Sequence, residues 1–440
     1  MTGDAPAQIL PASAGQGPDG RLTIGGCPLS DVAEAAGTPV LVIDEAQLRA
    51  SAREYVRAFR SRRAGTSVYF ASKALSCSAV IAVMADEGLG CDVSSAGELA
   101  IALAGGMPAE RILMHGNAKR DIDLSAALDA GVGLIVIDSL DELARLQRVL
   151  DARRPDTPQR VLLRVNPGVT APTHAAMATG DESSKFGLDI GALRAAASEI
   201  EASARLTFDG LHVHIGSQIT ELEPFVQSVI SLGEAGLDVG SVVDLGGGLG
   251  VRYTTDGAAG PSIDQYAQAL LGAADRALPP SASVLVEPGR SLVARAMVTI
   301  YRVVSVKRTT RTFVSVDGGM ADNLEPMMYG TPFDPFVLDS DRRPERCDVV
   351  GPHCETGDRL VEHWPLAGPR VDDLLVVPMT GAYCYALANN YNGALRPPVV
   401  MCSDGEAAIV QRRETIEDLL MRNCDIDLFE RQQKTGSGGN

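Results

Sequence analysis

The sequence predicts an α/β fold: a parallel (β/α)8 barrel of the TIM type, followed by a C-terminal domain that is mostly β. Two observations carry that expectation. Eight short β-branched runs alternate with Ala/Leu/Glu/Arg-rich helical stretches between residues 68 and 287. Beyond Arg290 the alternation stops, Pro, Gly and Asp breaks become frequent, and helical patterns grow scarce. On rhythm alone an open doubly wound sheet stays a rival for the first part.

The strand-like runs are 68–72, 89–93, 111–115, 133–138, 161–165, 210–215, 242–245 and 284–287. Helical patterns fill the gaps, for example 96–104, 139–150 and 224–235. In the second part, 294–306 and 311–316 alternate as strands do, and helices are expected only at 386–391 and 414–422. The run 38–43 is also strand-like and fits either domain. Residues 1–35 are Gly/Pro/Ala-rich and are expected to be a flexible lead-in. The expected domains are then a barrel over 36–294, a β domain over 295–430 and a flexible tail over 431–440.

Composition narrows the function. The chain has 440 residues, is 45% hydrophobic and carries a formal charge of -17. A surface so acidic repels phosphate backbones and anionic membranes, so neither nucleic acid nor membrane is an expected partner. No apolar run is long enough to span a bilayer, and the first residues lack the basic start and apolar stretch of a secretory signal. Eight scattered cysteines without a C-x-x-C pair read as reduced thiols of a cytoplasmic protein. Only five of the 39 basic residues are lysine, which makes a lysine beside an apolar strand conspicuous.

In such a barrel the active site lies at the C-terminal strand ends. There the sequence places Lys73, Asp92, His115, Asp138, Asn166, His214, Gly246 to Gly248 and Glu287. Turn residues alone would supply Asp, Ser and Gly, not a lysine, two histidines and a glutamate. Lys73 follows Tyr69-Phe70-Ala71-Ser72; burial there is expected to lower its pKa and suit it to imine formation, against the plain alternative of a surface lysine. The run Asp244-Leu-Gly-Gly-Gly-Leu-Gly250 can turn backbone N–H groups onto a phosphate, or be a simple glycine turn. It lacks dinucleotide spacing, because position 251 is valine.

Glu287, in Glu-Pro-Gly-Arg-Ser291, can keep a pyridine nitrogen protonated, and Arg290 can hold a phosphate or a carboxylate. A turn with a surface ion pair is the bland reading. His212 and His214 share one face of a strand, with His214 nearer the mouth. Zinc lacks a third ligand at a compelling spacing, so no metal is expected. A ring stacked on an aromatic cofactor and a satisfied core histidine are the competing roles. The four signals together fit pyridoxal 5'-phosphate.

The blocks YFASKAL, GCDVSSAGEL, RILMHGNAK, RVNPGV, SSKFGL, GLHVHIGSQ, DLGGGLG, EPGRS, DGGMADN, CETGD and GAY with NYN run in order from residue 69 to 392, within a resemblance that extends over about 36–425. In these the chain resembles the fold type III pyridoxal-phosphate decarboxylases, and within them the diaminopimelate decarboxylases. The resemblance implies that Lys73 forms the Schiff base, His214 stacks on the ring and Glu287 faces its nitrogen. It implies a cofactor pocket that also includes Asp92, His115, Ser217, Gly246, Gly247, Gly248, Gly289, Arg290 and Tyr383. Arg290, Glu325, Tyr329, Glu355 and Tyr383 would meet the substrate, and Cys354 would be a catalytic proton donor. Cys354 and Glu355 would enter from the other subunit of a homodimer.

One departure bears on substrate. The family carries an Arg-Pro pair after the DGGM block, where the arginine grips a distal carboxylate; here the pair is Glu325-Pro326. Replacing a bidentate cation by an anion reverses the electrostatic preference. The expected substrate is therefore meso-diaminopimelate, giving lysine, or a related amino acid whose distal carboxylate is absent or masked as an amide or thioester. A thioester would bring a carrier protein as partner. An amino-acid racemase on the same barrel, and a non-catalytic cofactor-binding or regulatory protein, are the alternatives. A racemase would favour arginine over Glu287 at the ring nitrogen.

Overall fold

The computed structural model describes residues 7–153, 157–174, 177–180, 184–234 and 239–424. The tail expected over 431–440 lies outside them.

Eight parallel strands close into a barrel: Ser67–Ala71, Gly90–Val93, Ile112–Met114, Leu134–Ile137, Gln159–Arg164, Leu206–His212, Val242–Asp244 and Ser283–Val286. The last pairs with the first, Leu285 opposite Ser67, so the sheet has no edge and the open doubly wound alternative is set aside. Each strand overlaps one of the eight runs read from the sequence. The runs are mostly apolar because parallel strands in a barrel are covered on both faces, and their polar residues gather toward the C-terminal ends. In Leu134–Ile137, for example, Ile135 and Ile137 join the core under the helices. Leu134 and Val136 instead pack with Leu113, Leu162, Val242 and Leu285 in a separate cluster inside the barrel. That plug leaves room for chemistry only above it, at the C-terminal ends.

Local signals set the helices. Asp44 accepts from the Ala46 N–H and starts Glu45–Arg60, which buries Leu48, Ala52, Tyr55 and Phe59 on one stripe. Ser95 caps Ala96–Ala104, and Ser262 with Gln265 forms a capping box on Ile263–Ala277. Burying each large side chain of these stripes contributes roughly 1.5–3 kcal/mol.

The second domain is built on a nine-stranded sheet centred on Met297–Arg308, which pairs with Thr312–Val316, Leu374–Val377 and Val40–Asp44. Val40–Asp44 thus belongs to the β sheet, although it precedes the barrel in sequence. The expected helix at 386–391 does not form. Asn389 and Asn390 divert the backbone there: Asn389 Oδ1 accepts from the Tyr391 N–H, and Asn390 Nδ2 donates to Ala394 and Glu414.

The flexible lead-in expected over 1–35 is corrected in its described part. A small sheet of Gly15–Gln16, Leu22–Ile24 and Cys27–Pro28 and the helix Leu29–Ala36 form there. Ile9, Ile24 and Leu29 are fully buried against the rest of the chain. The Gly and Pro content is turn chemistry around buried anchors, not a solvated coil.

Candidate active site

The C-terminal strand ends enclose a cavity of about 410 Å³. Its wall includes Lys73, Asp92, His115, His214, Ser217, Gly248, Glu287, Gly289, Arg290, Tyr329 and Tyr383, eleven of the residues singled out from sequence. They come from the first, second, third, sixth, seventh and eighth strand ends and from the β domain, so the barrel alone does not make the pocket.

Lys73 sits in the turn Ser72–Ala74 directly after the first strand. Tyr383 is tied to that turn by its N–H donating to Ala74 O at 2.8 Å, with its own φ at 65°. Such a left-handed tyrosine is uncommon and marks a position fixed by its surroundings. The expected lowering of the Lys73 pKa is corrected. Burial does pull it down, but Tyr383, Asp92 and Glu287 outweigh burial and hold it above the ordinary lysine value.

Glu287 follows the eighth strand, and its N–H donates to Gly246 O at 2.8 Å. Its Oε2 accepts from His212 Nε2 at 3.2 Å, while Oε1 is buried without a hydrogen-bond partner among the described residues, with His115 Nε2 at 3.8 Å. Burial works against ionising Glu287, yet His212, His115 and His214 prevail and keep its carboxyl below the usual range. His115 Nε2 lies 2.9 Å from Asp92 Oδ2, and burial pushes the His115 pKa down to about 3. Asp92 is pushed well up by burial and by the Glu287 charge. His115, His212 and Glu287 bring three ligand-type atoms within 4.8 Å of one another, a set that leaves out His214 of the pair read from sequence.

His214 projects from the loop after the sixth strand, and its Nδ1 accepts from the Gly247 N–H at 3.2 Å. That bond places the ring proton on Nε2. Burial, Lys73 and Arg164 keep the imidazole neutral, its pKa well below the ordinary value. The glycine turn is tight because backbones meet there. A Cβ on Gly247 would lie 2.1 Å from Glu287 O, and one on Gly248 would lie 2.4 Å from Gly216 O.

The residues fit pyridoxal phosphate on the cavity's own evidence: a buried, unpartnered Glu287 oxygen for a ring nitrogen, an amine at Lys73, a flat neutral imidazole and a side-chain-free turn for the phosphate. Gly246 and Gly247 shape that turn while Gly248 reaches the wall. Three expected residues lie elsewhere. Cys354 and Glu355 are exposed and do not line the cavity of their own chain; Glu355 accepts from Tyr391 OH. Glu325 is fully buried behind Arg290.

The wall also holds residues that the sequence did not point to, Arg164, Lys185 and Phe186 among them. Arg164, at the end of the fifth strand, lines the cavity, stacks 4.4 Å above the Phe186 ring and lies 3.5 Å from Asp138. His212 does not line the cavity and acts through Glu287. Within the block RVNPGV the strand-end position points to Asn166, because Asn is the more turn-like residue.

Comparison with known proteins agrees with this geometry. The family described as "Pyridoxal-dependent decarboxylase, pyridoxal binding domain" matches residues 45–294. A diaminopimelate decarboxylase of Actinosynnema pretiosum is 45% identical over 416 residues, covering 92% of each chain. That of Bacillus subtilis is 39% identical, covering 94% of this chain and 97% of its own. Among solved structures, diaminopimelate decarboxylase of M. jannaschii aligns with a TM-score of 0.87 at 30% identity, covering 94% of this chain and 98% of that one. The Helicobacter pylori enzyme complexed with L-lysine aligns with a TM-score of 0.84 at 27% identity, over 92% and 100%.

Proposed function

Because the chain belongs to the pyridoxal-dependent decarboxylase family, we propose that it removes the α-carboxylate of a diaminopimelate-type amino acid, one with a second amino group at its far end. It is a pyridoxal-phosphate-dependent carboxy-lyase. The reference reaction is that of its relatives, meso-diaminopimelate to lysine. One observation carries the reading: Lys73, Gly248 and Glu287 share a single cavity.

Bound pyridoxal phosphate supplies an electron sink for the carbanion left by carbon dioxide. The chain's own residues do the rest. Lys73 offers the linking amine. His212 donates to Glu287 and keeps that carboxylate ionised, so its other oxygen would be available to hold the cofactor's ring nitrogen. His214, fixed by the Gly247 N–H, would hold the ring by stacking. A carboxylate in Glu287's place would keep the ring nitrogen protonated, which suits decarboxylation better than racemisation.

The protein acts as a homodimer. Supporting this, Cys354 and Glu355 are exposed and outside their own chain's cavity, and Met327 and Met328 are 49% and 46% exposed on the helix that carries Tyr329. A second copy then brings Cys354 as proton donor and Glu355 to the substrate amine. The barrel, from the helix after Val40–Asp44 to residue 294, holds the cofactor, and the β domain that follows completes the site. Eight free cysteines support a reducing, cytoplasmic setting, and no helix among the described residues is long and apolar enough to cross a membrane.

The test is carbon dioxide release from carboxyl-labelled diaminopimelate, lysine, ornithine and an acylated amino acid in the presence of pyridoxal phosphate. Release from at least one is expected. Loss of optical activity with the label retained would point to racemisation instead, and binding without any turnover to a non-catalytic protein.

A further inference from the structure

Glu325 is a buried carboxylate that the chemistry above does not use. It is fully buried at the start of the short helix Glu325–Tyr329. The helix sets it behind Arg290 while Tyr329, four residues on, reaches the cavity wall. Its Oε2 accepts from Thr331 Oγ1 at 2.7 Å and lies 3.4 Å from Arg290 Nη1. Its Oε1 has no hydrogen-bond partner among the described residues.

Arg290 is the cavity cation best placed to grip a second carboxylate, and its guanidinium is already engaged. Nε lies 3.3 Å from Ser217 Oγ, Nη1 meets both Tyr253 OH and Glu325, and the Tyr383 ring lies 4.6 Å from its Cζ. Nη2 has Met177 Sδ at 3.6 Å. Glu325 and Tyr253 take the Nη1 side, and a carboxylate would have to displace Ser217 and the Met177 thioether to be held by the Nε–Nη2 edge. Of the other wall cations, Arg164 is stacked on Phe186 and faces Asp138, and Lys73 is committed to the cofactor. Lys185 is exposed, its Nζ 5.0 Å above the same ring, where solvent weakens its pull on an anion.

Resting on the decarboxylase reading, we propose that Glu325 is the specificity-determining residue of this site, and that by occupying Arg290 it selects an amino acid whose far end carries an amine and no free carboxylate. A distal carboxylate would have to displace Glu325 or sit beside its uncompensated charge. A distal ammonium, or an amide, meets no such repulsion.

The experiment measures kcat/KM of the holoenzyme for lysine, meso-diaminopimelate and diaminopimelate monoamide. Alongside, the bound cofactor's absorbance reports binding of each compound whether or not it is turned over. Lysine or the monoamide is expected to exceed diaminopimelate by roughly 30-fold or more, the scale of one unmatched buried charge contact. Glu325→Gln, which keeps the shape and the Thr331 contact, should narrow that ratio, and Glu325→Arg should move it further toward diaminopimelate. Wild-type enzyme that uses diaminopimelate as well as the other two overturns the inference. So does a ratio unmoved by Glu325→Gln. If no compound releases carbon dioxide, the decarboxylase reading fails by itself. The spectral affinities then still decide the far-end preference, with equal affinity for diaminopimelate and lysine overturning it.

Discussion

His212 Nε2 donates to Glu287 Oε2 at 3.2 Å inside the barrel, with the histidine side chain fully buried and the glutamate nearly so. One strand end thereby holds the charge of another across the cavity. Replacing His212 by leucine leaves a buried carboxylate without its donor, a loss of about 1–3 kcal/mol. The expected result is pyridoxal phosphate bound roughly 10-fold or more weakly, read by absorbance titration of the cofactor-stripped full chain. An unchanged dissociation constant would separate His212 from the ring-nitrogen site.

Lys73→Ala removes the amine that links the cofactor. The near-visible band of lysine-linked pyridoxal phosphate should vanish, and turnover should fall by a factor of roughly 1,000 or more, since covalent catalysis is lost outright. A band that survives in the variant contradicts the assignment of Lys73.

Much of this was visible in the chain. Barrel strands announce themselves because doubly covered strands are mostly apolar, and the residue closing each one follows by position. Relations between strand ends do not. The Lys73 pKa direction depends on Tyr383, Asp92 and Glu287, which lie 19 to 310 positions away in sequence and converge only on closure. The His212–Glu287 bond and the Arg290–Glu325 pair were hidden for the same reason. The ordering of residues 7–35 was hidden because Gly/Pro content reports turns without reporting whether an Ile9 between them finds a core.

The proposed sharing of active sites makes a counting prediction for an equimolar mixture. Mix Lys73→Ala protein with a Cys354→Ala/Glu355→Ala variant, each inactive alone. Random exchange of subunits in a homodimer rebuilds one intact site in each mixed pair, restoring about a quarter of wild-type activity. Mixtures that stay inactive after exchange would show that Cys354 and Glu355 do not complete a partner's cavity.

Lys119 and Glu142 form an ion pair at 2.8 Å with both side chains fully buried. Lys119 Nζ also donates to Gly116 O at 2.8 Å and Val136 O at 2.6 Å, which braces the loop after His115. Lys119→Met strands a buried carboxylate and should cost about 3–5 kcal/mol, whereas Lys119→Met with Glu142→Leu should recover much of that. Denaturant unfolding of the three proteins decides it; equal stability of the single and double variants would mean the pair is not coupled.

Asp322 gives the fold a pH dependence. Burial raises its pKa to about 7, although Tyr301 OH donates to Oδ2 and the Gly319 N–H donates to Oδ1 at 2.8 Å. An unfolded aspartate titrates near about 3.9. Between those values the native state binds the extra proton, so this group's share of stability is present at acid pH and is lost as pH rises toward and through 7. Asp322→Asn cannot ionise and escapes that loss, but its amide gives up one acceptor, at about 1 kcal/mol. The variant should therefore be the less stable protein at pH 4.5, and the gap should close or reverse by pH 8, measured as the difference in unfolding free energy in urea. A gap that is the same at both pH values would show that Asp322 is ionised in the folded protein throughout, and that Tyr301 and Gly319 outweigh burial after all.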